Sequence, residues 1–179
     1  DKNLKLNEAS QPGTFVTGVF DHSGITNKVF EVDNGSSNGN SINGSSDNMI
    51  AYCWHGVEGF SKFGGYIGNN STDGTFCYTG FKPAFVLHKR VTPSGTSTDD
   101  SWVLSDATRN TTNPIGSYLF ADQTNAESST TFVDYYSNGF KFRIADNTTN
   151  NNGDTYIFAS FAEEPLVANV GQSIPATAR

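Results

Sequence analysis

The segment VDYYSNGFKFRIAD, residues 133–146, constrains the fold more than any other part of the chain. Phe140, Phe142 and Ile144 alternate with two basic residues, and this period of two places apolar side chains on one face of a strand. The preceding Ser137-Asn138-Gly139 consists of residue types that tolerate the backbone of a tight turn. The segment therefore predicts a β-hairpin with one buried face and one solvated face.

Short apolar runs of the same kind recur from Met49 onward, separated by turn-forming residues about every 8 to 12 positions. The last run, Thr155–Ala162, is apolar on both faces and is predicted to be a central strand. We expect an all-β fold of two packed antiparallel sheets, a sandwich of jelly-roll or concanavalin-like (lectin-like) type. The predicted strands are Met49–His55, Phe60–Ile67, Thr75–Phe81, Ala84–Val91, Trp102–Asp106, Ser117–Phe120, Thr131–Tyr136, Phe140–Ala145 and Thr155–Ala162.

Composition excludes several other classes of protein. Only 16% of residues are charged and 13% are aromatic, which disfavours a helical bundle and suits strands. The net charge of −7 repels a phosphate backbone, so we expect no nucleic-acid partner. The sequence contains no run of the roughly 20 apolar residues that a membrane helix needs, so we expect no membrane insertion.

The chain is predicted to have three parts. Residues 1–47 form an N-terminal arm that ends in the Gly/Ser/Asn-rich run NGSSNGNSINGSSDN, which is typical of a flexible segment. Residues 48–165 form the β-sandwich domain, and residues 166–179 form an extended C-terminal tail. Because the sequence begins with Asp and not with Met, we expect a processed product or a fragment of a longer chain.

Cys53 and His55 stand two positions apart in a predicted strand, so their side chains are expected to point the same way. A cysteine nucleophile needs a base within hydrogen-bond reach and a third group that orients the base. None of the three histidines lies in a recognisable nucleophile motif. We therefore predict no catalytic residues. Cys53 and Cys77 are compatible with one disulfide or with two free, buried thiols, and two cysteines alone do not establish a disulfide framework.

The acidic residues do not predict a glycosidase or a metal site. Glu163 and Glu164 are adjacent, so they point to opposite faces, and Asp99-Asp100 lies in a polar loop. We expect these to be solvated loop acids. Residues 145–155, ADNTTNNNGDT, offer oxygen ligands but lack the ligand order of a calcium-binding EF-hand loop, so we expect a hairpin loop. No metal and no cofactor is predicted.

Five segments of the chain follow one another in a characteristic order. The series resembles a domain at the C-terminal end of bacteriophage virion structural proteins of tail-fibre or decoration type, frequent in marine and freshwater phages. In some of those chains the domain follows a laminin-G or concanavalin-like segment. The resemblance covers about residues 48–165 and leaves the arm out. The segments are AYCWHGVEGFSKFGGYIGNNSTDGTFCYTGFKPAFVLHKR, WVLSDATRN, NPIGSYLFADQTNAES, VDYYSNGFKFRIAD and TYIFASFAEEP.

The resemblance implies an extracellular virion component that has no enzymatic activity and brings no catalytic residues. We expect a homo-oligomer, trimeric in a fibre or spike, in which the arm or the tail adds a strand to, or wraps round, a neighbouring subunit. We also expect contacts with other virion proteins. Removing residues 1–47 should then weaken assembly. Alternatives are a carbohydrate-binding adhesin for a host-surface glycan, a subunit of a cell-surface filament and a glycan-degrading jelly-roll enzyme.

Aromatic residues near predicted strand ends are the candidate contacts with a glycan or a partner protein. Aromatic rings offer a large contact area at low entropic cost, and nearby Asn and Ser residues offer adaptable hydrogen bonds. The alternative for each residue taken singly is packing in the core of the sandwich. The candidates are Trp54, His55, Phe60, Tyr66, Tyr78 and Trp102.

Overall fold

The computed structural model describes residues 2–10, 12–14, 26, 28–32, 48–92 and 100–164. The chain divides into two compact units, one of Asp1–Leu4 with Pro12–Trp54 and one of Lys5–Gln11 with His55–Arg179. In the first unit, β1 (Lys2–Asn3) pairs with β2 (Gly13–Thr14) in an antiparallel ladder. Residues 33–47 of the predicted arm and all of the predicted tail lie outside the described residues.

The second unit contains a single antiparallel sheet of eight strands that is nearly closed into a barrel. The strand order is β3-β10-β5-β6-β7-β8-β9-β4, so β3 and β4 are the two edges. Among the described residues there is no helix, and hence none with the length and apolarity to cross a membrane. The strands are β3 (Ser61–Ile67), β4 (Phe76–Tyr78), β5 (Pro83–Arg90), β6 (Trp102–Asp106), β7 (Ile115–Phe120), β8 (Ser128–Tyr136), β9 (Gly139–Phe142) and β10 (Thr155–Ala162).

The structure confirms the all-β prediction but not its division into two packed sheets. From β3 to β4, each strand is hydrogen-bonded to the next, so the chain builds one continuous sheet that curls back on itself. The prediction for Thr155–Ala162 is confirmed, since β10 lies between β3 and β5. The predicted strand Met49–His55 is wrong. These residues form no ladder, and their side chains are exposed, as Ile50 at 79% shows.

The predicted hairpin is confirmed as β8 and β9. Tyr136 lies opposite Gly139, which leaves a turn of two residues between them. Phe140 and Phe142 are buried at 0% and 1% exposure, as their alternation with basic residues predicted.

Aromatic side chains fill the interior of the sheet. The Tyr66 and Tyr156 rings stack with centroids 4.9 Å apart, and the Tyr66 hydroxyl donates to the Thr149 carbonyl at 2.7 Å. His88 is fully buried, with its ring centroid 4.7 Å from that of Phe142. Burial lowers the pKa of His88 from 6.5 to about 3, so this imidazole is neutral near pH 7.

A buried ion pair lies at the C-terminal end of β5. The Arg90 guanidinium lies 2.5 Å from Oδ2 of Asp154, and both side chains are almost fully buried. The Asp154 carboxylate also accepts a hydrogen bond from the side-chain amide of Asn151. Residues 145–155 form a loop but not the predicted hairpin loop, because β9 and β10 are not neighbours in the sheet. Asp154 of this loop takes part in the buried ion pair. The described residues contain no cluster of His, Cys, Asp or Glu that could bind a metal.

Candidate functional site

The short edge strand β4 presents two aromatic rings to solvent. Phe76 and Tyr78 are 43% and 63% exposed, while Cys77 between them is buried. This is the alternation that a strand with one wet face requires. Tyr136, which is 37% exposed, lies in the same row as Tyr78, because both pair with Gly139 across β9. We call Phe76, Tyr78 and Tyr136 the aromatic patch.

Gly139 gives the aromatic patch its shape. A Cβ atom built on this residue would lie 2.7 Å from the tip of the Phe76 ring and would clash with the Cys77 carbonyl. The absence of a side chain lets Phe76 lie across β9, where its centroid is 5.9 Å from that of Tyr136 in an edge-to-face arrangement. The glycine is needed for this close approach, and its φ is not positive.

Charged side chains border the aromatic patch. Nζ of Lys141 lies 2.7 Å from Asp73, and Nε of Arg143 lies 3.5 Å from Asp134. The hydrogen bond from Lys141 lowers the pKa of Asp73. The Tyr136 hydroxyl donates to Asp134 at 3.1 Å, and desolvation together with Asp134 raises the pKa of this tyrosine. We call Asp73, Asp134, Lys141 and Arg143 the charged rim. Its donors and acceptors are partly exposed beside the aromatic rings.

A cleft of about 380 Å³ lies between the two edges of the sheet. Tyr78 lines both this cleft and the aromatic patch, so the two features form one surface. Glycosidases place two carboxylates beside the scissile bond. Glu58 is the one carboxylate among the residues that line this cleft, so the lining does not contain such a pair. The lining residues are Gly56, Glu58, Ser61, Lys62, Tyr78, Thr79 and Gly80.

The six predicted contact residues do not form one site. Tyr78 is on the aromatic patch, but Tyr66 is in the core at 6% exposure, so its prediction as a contact residue is wrong. Phe60 is 38% exposed and packs edge-on against Phe161. Trp102 is partly buried and donates its indole N–H to the Lys5 carbonyl at 2.8 Å.

Trp54 and His55 belong to different compact units. Trp54 is 66% exposed and stacks on Tyr52 with centroids 6.1 Å apart. His55 is exposed, with Nδ1 2.9 Å from the Gly56 carbonyl oxygen. Cys53 and Cys77 are both free thiols, the first exposed and the second buried, so the structure shows no disulfide between them. Burial raises the pKa of Cys77 to about 12, which keeps it a thiol.

Sequence reasoning missed Phe76 and Tyr136. The alternation in TFCYTG contains the signal for Phe76, since it is two positions from Tyr78. The pairing of β4 with β9 joins segments about sixty residues apart, and no local pattern indicates it. The prediction of solvated loop acids is also wrong for Asp100, which is 1% exposed.

The fold and this surface define an all-β module with an aromatic patch that faces outward. The chain belongs to the family described as Domain of unknown function (DUF7483), whose model matches residues 1–165. No curated protein and no solved structure matches the chain.

Proposed function

We propose that this chain is a bacteriophage virion structural protein, of a tail fibre, an appendage or a capsid decoration, that acts by assembly and host-surface attachment and not by catalysis. The aromatic patch is the observation that carries the attachment role. The same proposal includes two further points. The nearly closed sheet is related to lectin-like or jelly-roll folds, and the protein is located on the surface of the virion.

A host-surface glycan is the ligand class that the aromatic patch fits best. Phe76, Tyr78 and Tyr136 are partly exposed aromatic rings, and such rings offer apolar area against which a sugar ring can pack. The charged rim beside them supplies donors and acceptors for hydroxyl groups. A few polar groups placed around aromatic side chains are the usual construction of a small-molecule site.

The attachment role is tested on an array of bacterial surface polysaccharides. Tyr78→Ala should weaken binding by at least about tenfold, or about 1.4 kcal/mol, because it removes the most exposed ring of the patch. Tyr52→Ala, which removes another exposed tyrosine, is the matched control and should bind as the unchanged protein does. Equal loss in both variants, or no binding to any glycan, would argue against this role.

Assembly is the second part of the proposal, and the open edge of β3 favours it. An edge strand presents unpaired main-chain groups that can pair with another chain. Phe63 and Ile67 project from the same face of β3 and are 37% and 53% exposed. Phe63 also meets Phe161, which is the centre of a cluster of four phenylalanine rings on the outside of the sheet.

Light scattering of the purified protein tests the assembly role. We expect a homo-oligomer, and a trimer in particular, that Phe63→Lys dissociates because a charge is placed at an apolar edge. Tyr78→Ala is the control and should keep the oligomer, just as Phe63→Lys should keep glycan binding per subunit. A monomeric unchanged protein would refute the assembly role while leaving attachment intact.

A further inference from the structure

The main-chain groups of the edge strand β3 alternate between its neighbour β10 and the open edge of the sheet. Two bonds that flank the β3–β10 ladder fix the order of this alternation. The Ala162 N–H donates to the Phe60 carbonyl at 2.8 Å, and the Gly68 N–H donates to the Asp154 carbonyl at 2.9 Å. Since bonding residues alternate along an antiparallel strand, the even-numbered residues of β3 bond to β10 and the odd-numbered residues face the open edge.

The two ends of the open edge have partners within the chain. Ser61 exchanges two main-chain hydrogen bonds with Val57, at 2.9 and 3.0 Å. At the other end of β3, the Ile67 carbonyl accepts a hydrogen bond from the Thr75 hydroxyl at 2.6 Å. Both contacts lie on odd-numbered residues, which agrees with the alternation.

The middle of the open edge, at Phe63 and Gly65, is unpaired. The N–H and C=O groups of both residues point away from β10 and bond to no other described residue, and both residues are exposed. Proteins commonly protect such an edge with charged residues or proline. Lys62 is the only charged residue of β3, and the strand contains no proline. This edge is therefore suited to receive another strand.

The cleft of about 380 Å³ adjoins this edge. Ser61 and Lys62 of β3 line one part of it, and Tyr78 and Thr79 line another. Its volume is in the range of clefts that hold ligands. The open edge therefore has space beside it for a few residues of extended chain.

The segment that follows β10 has the sequence pattern of a strand. Residues 166–174 read LVANVGQSI. Leu166, Ala168 and Val170 recur at every second position, whereas Asn169 belongs to the opposite set, so the pattern predicts a strand with one apolar face. The segment contains no charged residue. In a chain of net charge −7, such a segment can lie against another copy without adding to the repulsion between them.

The chain leaves β10 on the side away from the open edge of β3. The Glu163 N–H donates to the Lys82 carbonyl at 2.9 Å, and the Glu163 carboxylate lies 2.6 Å from Nζ of Lys82. Lys82 directly precedes β5, and β10 lies between β5 and β3. To reach the open edge of its own β3, the chain has to turn back across both β10 and β3. The edge of a neighbouring copy imposes no such turn.

We propose that residues 166–174 of one copy add to β3 of a second copy as an extra strand, with Val170 on the apolar face that Phe63 and Ile67 form. This inference rests on the proposed assembly role and names its contact. The donor segment and the acceptor edge are different surfaces, so the contact is head-to-tail and can close into a ring such as a trimer. The main-chain bonds are made with β3 and do not involve the Tyr78 ring.

Self-association of the full chain tests the proposal. Val170→Asp places a charge on the apolar face and should raise the dissociation constant of the oligomer by at least about tenfold, measured by light scattering over a dilution series. Asn169→Asp adds the same charge to the opposite face, so it is the matched control and should associate as the unchanged protein does. Equal behaviour of the two variants would overturn the proposal. An oligomer that persists in both leaves the assembly role standing, whereas a monomeric unchanged protein refutes that role as well.

Disulfide formation identifies the two partners. In a Cys53→Ser background, which removes the exposed native thiol, copies with Lys62→Cys are mixed with copies with Asn169→Cys. Oxidation should link the two, because both positions lie on the face opposite Val170, and mass spectrometry identifies the linked peptides. Each copy has only one new cysteine, so this link can form only between copies.

Thr130→Cys, at an exposed residue of β8, replaces Lys62→Cys in the control mixture and should not link to Asn169→Cys. Equal linking in the two mixtures would overturn the proposal. So would a link that forms only within a chain that carries both Lys62→Cys and Asn169→Cys, because the segment would then add to its own β3.

Discussion

Phe76 lies across Gly139 so closely that even one added carbon atom on the glycine would meet the ring at 2.7 Å. The contact joins β4, the edge strand, to β9 of the hairpin. Because Gly139 has no side chain, the Phe76 ring occupies the space above it, and this position of Phe76 allows the aromatic patch to form.

Gly139→Ala should destabilise the protein by about 1–3 kcal/mol, the usual cost of inserting a carbon atom into a filled space. The Cys77 carbonyl on one side is main chain and cannot rotate away. The free energy of unfolding in urea measures the effect. Gly56→Ala is the control, since its added Cβ would meet only the Ser61 carbonyl oxygen at an ordinary 3.8 Å, and we expect a change within about 0.5 kcal/mol.

Tyr66→Phe should cost about 0.5–1.5 kcal/mol, because it removes the buried hydrogen bond to the Thr149 carbonyl and keeps the ring stacked on Tyr156. Thermal or urea unfolding measures this change. Tyr78→Phe is the matched control on an exposed ring and should leave stability unchanged. Equal effects of the two variants would contradict the placement of Tyr66 in the core.

His88 should make stability fall as the pH is lowered from about 6.5 to about 3. The folded state keeps this imidazole neutral down to a pKa of about 3, whereas the unfolded chain binds the proton near the ordinary value of 6.5. Within that window the unfolded state carries more protons, so the free energy of unfolding declines by up to about 1.4 kcal/mol for each unit of falling pH.

The pH effect is measured as a difference between variants, since carboxylates titrate over part of the same range. His88→Leu should have a flatter profile between pH 6.5 and 3 than the unchanged protein. His55→Leu, at an exposed histidine, should keep the original slope. Parallel profiles for all three proteins would show that His88 binds a proton equally readily in the folded and unfolded states.

Arg90→Met should destabilise the protein by about 3–5 kcal/mol, because it leaves the Asp154 carboxylate buried without its cation. The double variant with Asp154→Leu should recover much of that loss, since both charges are then removed. Lys82→Met breaks the exposed pair with Glu163 and should cost no more than about 1 kcal/mol. A single variant as stable as the double variant would refute the buried pairing.

Local patterns in the sequence determined the class of the fold and several of its elements. The alternation of Phe140 and Phe142 with basic residues specified the hairpin, and the doubly apolar Thr155–Ala162 specified a central strand, because both signals depend only on side-chain period and burial. The predicted strand at Met49–His55 failed because apolar residues make a strand only where a neighbouring strand completes the ladder.

Tertiary structure alone decided how the strands close and which residues share a surface. Whether antiparallel strands form two sheets or one depends on hydrogen bonds between distant segments, as between β4 and β9. The same long-range pairing places Phe76 beside Tyr136. Lys89 and Asp100, whose residue types predict exposure, are buried in the folded chain. The sequence determined which faces are apolar, and the register between strands decided which groups meet there.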